Sequence, residues 1–177
     1  MGHKRWIAIF GILLVGTALL LTALALDRAP SPLPTGTHVD FILIEKTAHR
    51  MTLFTQHRPL RAYDIALGRG GLARKTREGD ARTPEGFYRI DRHNPHSAFH
   101  RALHINYPSE QDMTAAKVQH VLPGGGIMIH GLRNGFGWIG SPHRLVDWTN
   151  GCIAVTDDEI DEIYRVVPDG TPVEIRS

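Results

Sequence analysis

Cys152 is the single cysteine of the 177-residue chain, so no internal disulfide can form. It follows Gly151 and opens the apolar run Ile153-Ala154-Val155. A glycine directly before a thiol leaves room for a substrate carbonyl, and neighbouring backbone N–H groups can serve as an oxyanion hole. A thiol at its ordinary pKa is only a few per cent thiolate at pH 7, and a nearby imidazole raises that fraction. His130 is the imidazole best placed to do this, because it ends the apolar run 126–129 and is followed by Gly131. The pattern predicts a Cys-His nucleophile with an activated thiol. A buried, inert cysteine is the alternative.

His93, His96, His100 and His104 recur at steps of three and four residues, which on a helix would align zinc ligands. Pro95 interrupts such a helix, and the residues from Ala102 to Tyr107 alternate as a strand does. These histidines read as solvated loop residues, and no metal or cofactor is assigned.

The elements that carry these residues are short and mostly β. Residues 39–45, 51–56 and 60–67 read as a strand meander, followed by strand candidates at 87–91, 102–108 and 126–130. Between them, residues 68–82 are rich in Gly, Arg and Lys with almost no large apolar side chain, which predicts an exposed loop. Ser109 with Asp112 signals a short helix over 110–121, stopped by Pro123-Gly124. Thr156 and Glu159 form a capping box before Ile160, Ile163, Tyr164 and Val167 at helical spacing, and residues 171–176 return as a last strand. The fold class expected is mainly β with short α-helices (α+β).

Composition narrows the function classes. Twenty Lys and Arg face eighteen Asp and Glu, for a net charge of +2, but Lys4 and Arg5 lie at the extreme N-terminus. The rest of the chain is formally neutral, so no basic surface argues for nucleic acid. Ile7–Leu26 is a twenty-residue uncharged run, long enough as a helix to span a bilayer core of about 30 Å. Lys4 and Arg5 place its N-terminal flank in the cytoplasm and the domain on the far side. Residues 1–26 are therefore expected to be a transmembrane signal anchor, 27–36 a Pro-rich linker and 37–177 one catalytic domain. Cleavage after Ala23-Leu24-Ala25, giving a secreted protein, is the alternative.

IMIHG at 127–131 and TNGCIAV at 149–155 resemble the signature of the L,D-transpeptidases of the YkuD type. TPEGFYRI, NPHSAF, INYP and the DDEIDEIY helix fall where that family has counterparts, so the resemblance covers nearly all of residues 39–176. It implies a β-rich catalytic domain with Cys152 as nucleophile, His130 as base and Gly151 beside them, acting on peptidoglycan stem peptides in cell-wall remodelling and cell shape. Two positions depart from the family pattern. Asn150 stands where a His is usual, and Ala154 where an Arg is common. The spacer from His130 to Thr149 is also slightly long, with SPHRLVDW as the insertion. Arg133, Arg144 or an Arg of the 69–82 loop is then expected to anchor the anionic substrate, with Asn150 beside them. His143 reads as a solvated loop residue, with a contribution to substrate recognition as the alternative. Trp138 and Trp148 are candidates to line the cleft, with core packing as the alternative. Transpeptidation, hydrolysis by the same Cys-His pair, and a non-catalytic wall-binding domain are the functions left open.

Overall fold

Alternating apolar side chains set the first strands. In β1 (Phe41–Glu45) Ile42 and Ile44 are fully buried while their neighbours are half-exposed. It pairs antiparallel with β2 (Arg50–Thr55), which pairs antiparallel with β3 (Arg58–Asp64), so the expected meander is present. The computed structural model describes residues 31–177, and Pro34–Ser177 form one compact unit. The apolar run Ile7–Leu26 lies outside the described residues. Among those described, no helix is long and apolar enough to cross a membrane.

The remaining strands are β4 (Gly86–Asn94), β5 (Ala102–Ile105), β6 (Met128–His130), β7 (Ile153–Ala154) and β8 (Pro172–Arg176). Sheet order is β3-β2-β1-β8-β4-β5-β6-β7. The C-terminal strand β8 inserts between β1, which it parallels, and β4, which it opposes. β4 joins two halves: Gly86–Arg89 pair with β8, and from Ile90 onward its partner is β5, with a register shift between Ile90 and Arg92.

Among the described residues, two α-helices complete the α+β fold. α1 (Glu110–Val118) begins at the Ser109/Asp112 capping box and ends short of the expected Val121, with Gln119 as its C-cap. α2 (Asp157–Val166) begins at the Thr156/Glu159 box and packs on β5 and β6 through Ile160 and Ile163. Each such side chain contributes about 1.5–3 kcal/mol by burial. α2 thereby fixes the back of the two strands that lead to the candidate site.

The 68–82 loop is exposed over most of its length, as its composition predicts, and is held by an internal ion pair. Lys75 is buried, donating to Asp80 at 2.7 Å and to the Arg77 carbonyl at 2.9 Å. Asp80 also accepts from the backbone of Thr76, Arg77 and Arg82. These bonds hold its carboxyl down to about 2 against the opposing effect of burial. Most of the loop's surface is exposed, but its path is fixed from within. The histidine series is dispersed: His93 meets Asp169, His100 meets Asp161 and His104 meets Asp91, while His96 remains exposed.

Candidate active site

β6 and β7 run parallel, with Ile129 opposite Ile153 and His130 opposite Ala154. Side chains two residues apart on a strand share a face. Cys152, two residues before Ala154, therefore lies on the face that carries His130, one strand across. Both residues line a cleft of about 830 Å³, together with Phe99, Met128, Leu132, Phe136, Val146, Trp148 and Thr149.

His130 is almost wholly buried, at 4% exposure. Its Nδ1 lies 2.7 Å from the Gly131 carbonyl oxygen, which can only accept, so Nδ1 carries the proton. Nε2 is then the basic nitrogen left for the cleft. The imidazole is flanked by Phe99 at 4.7 Å and Trp148 at 5.7 Å between ring centroids. This dry surround pushes its pKa below the usual imidazole value.

Cys152 is half-buried, and its Sγ sits 3.5 Å from the Gly126 carbonyl oxygen. Burial pushes its pKa up, opposed by a backbone hydrogen bond from Met128 and by the charge of Lys75. Burial thus disfavours the charged form of each group and works against the expected thiolate.

The turn before the thiol is built by Thr149. Its Oγ1 donates to the Cys152 carbonyl at 2.7 Å and accepts from the Gly151 N–H at 3.1 Å. That N–H is consequently engaged within the turn. Gly151 matters through its backbone instead: its φ is +124°, and a Cβ there would meet the Arg82 carbonyl oxygen at 2.6 Å. Gly131 is similarly enclosed, since a Cβ would lie 2.7 Å from Asp157 Oδ1. Asp157, the first residue of α2, accepts from the Leu132 N–H at 2.8 Å and so ties the loop after His130 to the helix.

The long spacer forms two 3₁₀ turns, Gly137–Ile139 and Ser141–Leu145. Asp147 anchors its far end, accepting from the Leu67 N–H at 2.7 Å and pairing with His49 at 3.0 Å. Trp148 then enters the cleft. Trp138 does not: it is 81% exposed and absent from the lining, whereas Ile139 of the same 3₁₀ turn is part of it. His143, read as solvated, is buried at 7% exposure and lines the cleft, with its pKa lowered to about 4, chiefly by burial. Arg144 is bound to Glu159 in the α2 capping box, which removes it as a free anchor. Arg133 and Asn150 line the cleft and are exposed. Ala154 is fully buried and backbone-paired with Ala66, so its position offers the cleft no cation.

Phe99, Asp147 and Asp157 escaped a reading of chemically active residue types, because their roles are to wall and tether. Thr149 was signalled by its place two residues before the glycine.

Residues 39–175 match the family described as YkuD, the L,D-transpeptidase catalytic domain. The chain is 32% identical over 134 residues to a protein of Escherichia coli (strain K12) named "Putative L,D-transpeptidase YafK", covering 72% of this chain and 46% of that one. It therefore spans about half the length of the curated relatives it matches. The crystal structure of the helical cell shape determining protein Pgp2 from Campylobacter jejuni aligns with a TM-score of 0.62 at 29% identity, over 85% of this chain and 52% of that one. An L,D-transpeptidase from Xylanimonas cellulosilytica shares the fold, with a TM-score of 0.55 at 19% identity over 88% of this chain and 69% of that one. With the family match spanning nearly all of the folded unit around the Cys152 cleft, the chain belongs to the YkuD family of L,D-transpeptidase catalytic domains.

Proposed function

We propose that the protein is a cysteine-dependent L,D-transpeptidase that transfers the acyl part of a peptidoglycan tetrapeptide stem to an acceptor amine. The observation that carries this reading is the shared cleft of one thiol and one buried imidazole whose Nδ1 proton is fixed on the Gly131 carbonyl. Cys152 Sγ attacks the carbonyl that follows the L-centre while His130 Nε2 takes the thiol proton. The C–N bond then breaks, His130 returns the proton to the departing amine of the terminal D-residue, and a thioester remains. The acceptor amine next attacks the thioester, giving its proton through His130 to the departing Cys152 sulfur. General acid–base assistance of this kind contributes about 10²- to 10⁴-fold in rate. The residues named require no cofactor for these steps.

The uncharged run behind Lys4 and Arg5 supports a single-pass anchor that holds the domain outside the cytoplasm, within reach of the wall. Incubating the full chain with a defined tetrapeptide stem, with and without an acceptor amine, and weighing the products tests the reaction. A new amide to the acceptor is the expected product. Tripeptide alone in the presence of excess amine would make the enzyme a hydrolase, and unchanged substrate would make the domain non-catalytic.

A further inference from the structure

The cleft around Cys152 and His130 carries a one-sided charge. Two arginines, Arg69 and Arg133, are among its described lining residues, with no lysine and no carboxylate. Between them the walls are largely apolar, including Phe99, Leu132, Phe136 and Trp148. Three other arginines of the nearby segments are already engaged: Arg144 with Glu159, Arg74 with Asp112, and Arg82 through Nε with the Gly70 carbonyl, and Arg77 of the same loop is not in the lining. Among the described residues, neither Arg69 nor Arg133 has a side-chain hydrogen bond or ion pair, so both forks of donors remain available to a ligand.

Their backbones are fixed even though their side chains are free. The Arg69 N–H donates to the Thr149 carbonyl at 3.0 Å, which sets it beside the turn that presents Cys152. Its glycine neighbours allow this close packing, since a Cβ on Gly68 or Gly70 would meet backbone oxygen at 2.2 or 2.0 Å. The Lys75–Asp80 pair fixes the rest of that loop. Arg133 follows His130 on the loop held by Leu132 to Asp157 and by Asn134 to the backbone of Ser97, Ala98 and His100.

We infer that Arg69 and Arg133 form a two-ended anion clamp, Arg69 holding the C-terminal carboxylate of the donor peptide and Arg133 a carboxylate on its acyl side. This inference rests on the acyl-transfer reading above. In a donor that loses its last residue, the terminal carboxylate lies one residue beyond the attacked carbonyl, about 3.5 Å of extended chain. It must therefore sit close to the Cys152 turn, where Arg69 is anchored. Acyl-side carboxylates run the other way, past His130 toward Arg133. The clamp makes a free terminal carboxylate a condition of good turnover, and it supplies the cation that Ala154 does not.

The test compares the full chain with its Arg69→Ala, Arg69→Lys and Arg133→Ala variants on a tetrapeptide stem and on the same peptide with a C-terminal amide. A charge-assisted contact of this kind corresponds to a loss of about tenfold or more. Arg69→Ala should lower kcat/KM by that factor on the free acid and by less than about threefold on the amide, with Arg69→Lys recovering part of the difference. Arg133→Ala should lower both substrates alike. Equal losses on acid and amide for Arg69→Ala, or no loss, would overturn the clamp. If the wild-type chain releases no product from either peptide, acyl transfer fails and binding decides the clamp. Titrating the tetrapeptide into Cys152→Ala, with and without Arg69→Ala, then supports it through a weakening of about tenfold, and rejects it through equal affinity or no binding.

Discussion

The two halves of the sheet are built differently. In the half formed by β3, β2, β1 and β8, strands of five to seven residues keep long registers and bury Ile42, Ile44, Met51, Leu53, Val173 and Ile175 almost completely. In the half formed by β5, β6 and β7, strands shrink to four, three and two residues, and loops carry most of the functional side chains. That half exposes Phe136, Trp138, Leu145 and Val146, and it leaves His143 Nε2 and Arg144 Nε buried without a hydrogen-bond partner. Unsatisfied buried groups oppose folding, and apolar groups left exposed contribute nothing to it. The contrast teaches that regular packing in one half sustains a costly, preorganised cleft in the other.

That division predicts that substitutions in the two halves separate activity from stability. His130→Gln, which keeps a donor in the buried site, should lower kcat by about 10²- to 10⁴-fold at a smaller cost in stability than a core truncation. Ile44→Ala should do the reverse, costing about 2–5 kcal/mol of stability with the folded fraction retaining its turnover. Denaturant titration beside initial-rate kinetics on both variants checks the pair. Equal effects of the two on rate would erase the distinction.

A smaller effect probes how the cleft half is held. Thr149→Val keeps the shape but removes both bonds of Thr149 Oγ1, leaving the Gly151 N–H and the Cys152 carbonyl unpaired. The expected cost is about 1–3 kcal/mol. Much of it should appear as lost kcat, with Thr149→Ser restoring the rate; a silent Thr149→Val would show that the turn holds itself.

Much of the scaffold half was legible in the sequence, because period-two alternation in residues such as Ile42 and Ile44 is a local signal. The Thr156/Glu159 capping box marked the start of α2 for the same reason. Insertion of β8 between β1 and β4 was not legible, since long-range pairing leaves no mark on either strand's own pattern. In the cleft, Cys152 and His130 stood out by residue type and neighbouring glycines. His143 did not: its spacer looks polar, and only the two 3₁₀ turns reveal that its ring is folded under Trp148, whose Nε1–H lies 3.4 Å from His143 Nδ1. The pairing of Arg144 with Glu159 was not legible either, because Glu159 lies on α2, beyond the spacer.

The smallest effect concerns pH. His143 titrates near 4 in the fold and near 6.5 when unfolded, so the unfolded chain binds more protons between these values. Stability from this group is present above pH 6.5 and is lost as pH falls toward 4. His143→Leu should flatten that part of the stability profile, measured by denaturant titration at several pH values. An unchanged slope would mean that the ring is solvated after all.

The cysteine nucleophile is tested most directly by intact-mass measurement of the full chain quenched during turnover of a tetrapeptide stem. A covalent adduct equal in mass to the stem's acyl part without its terminal residue should form, disappear on adding an acceptor amine, and be absent from Cys152→Ala. Undiminished product formation by Cys152→Ala would contradict a thioester on Cys152.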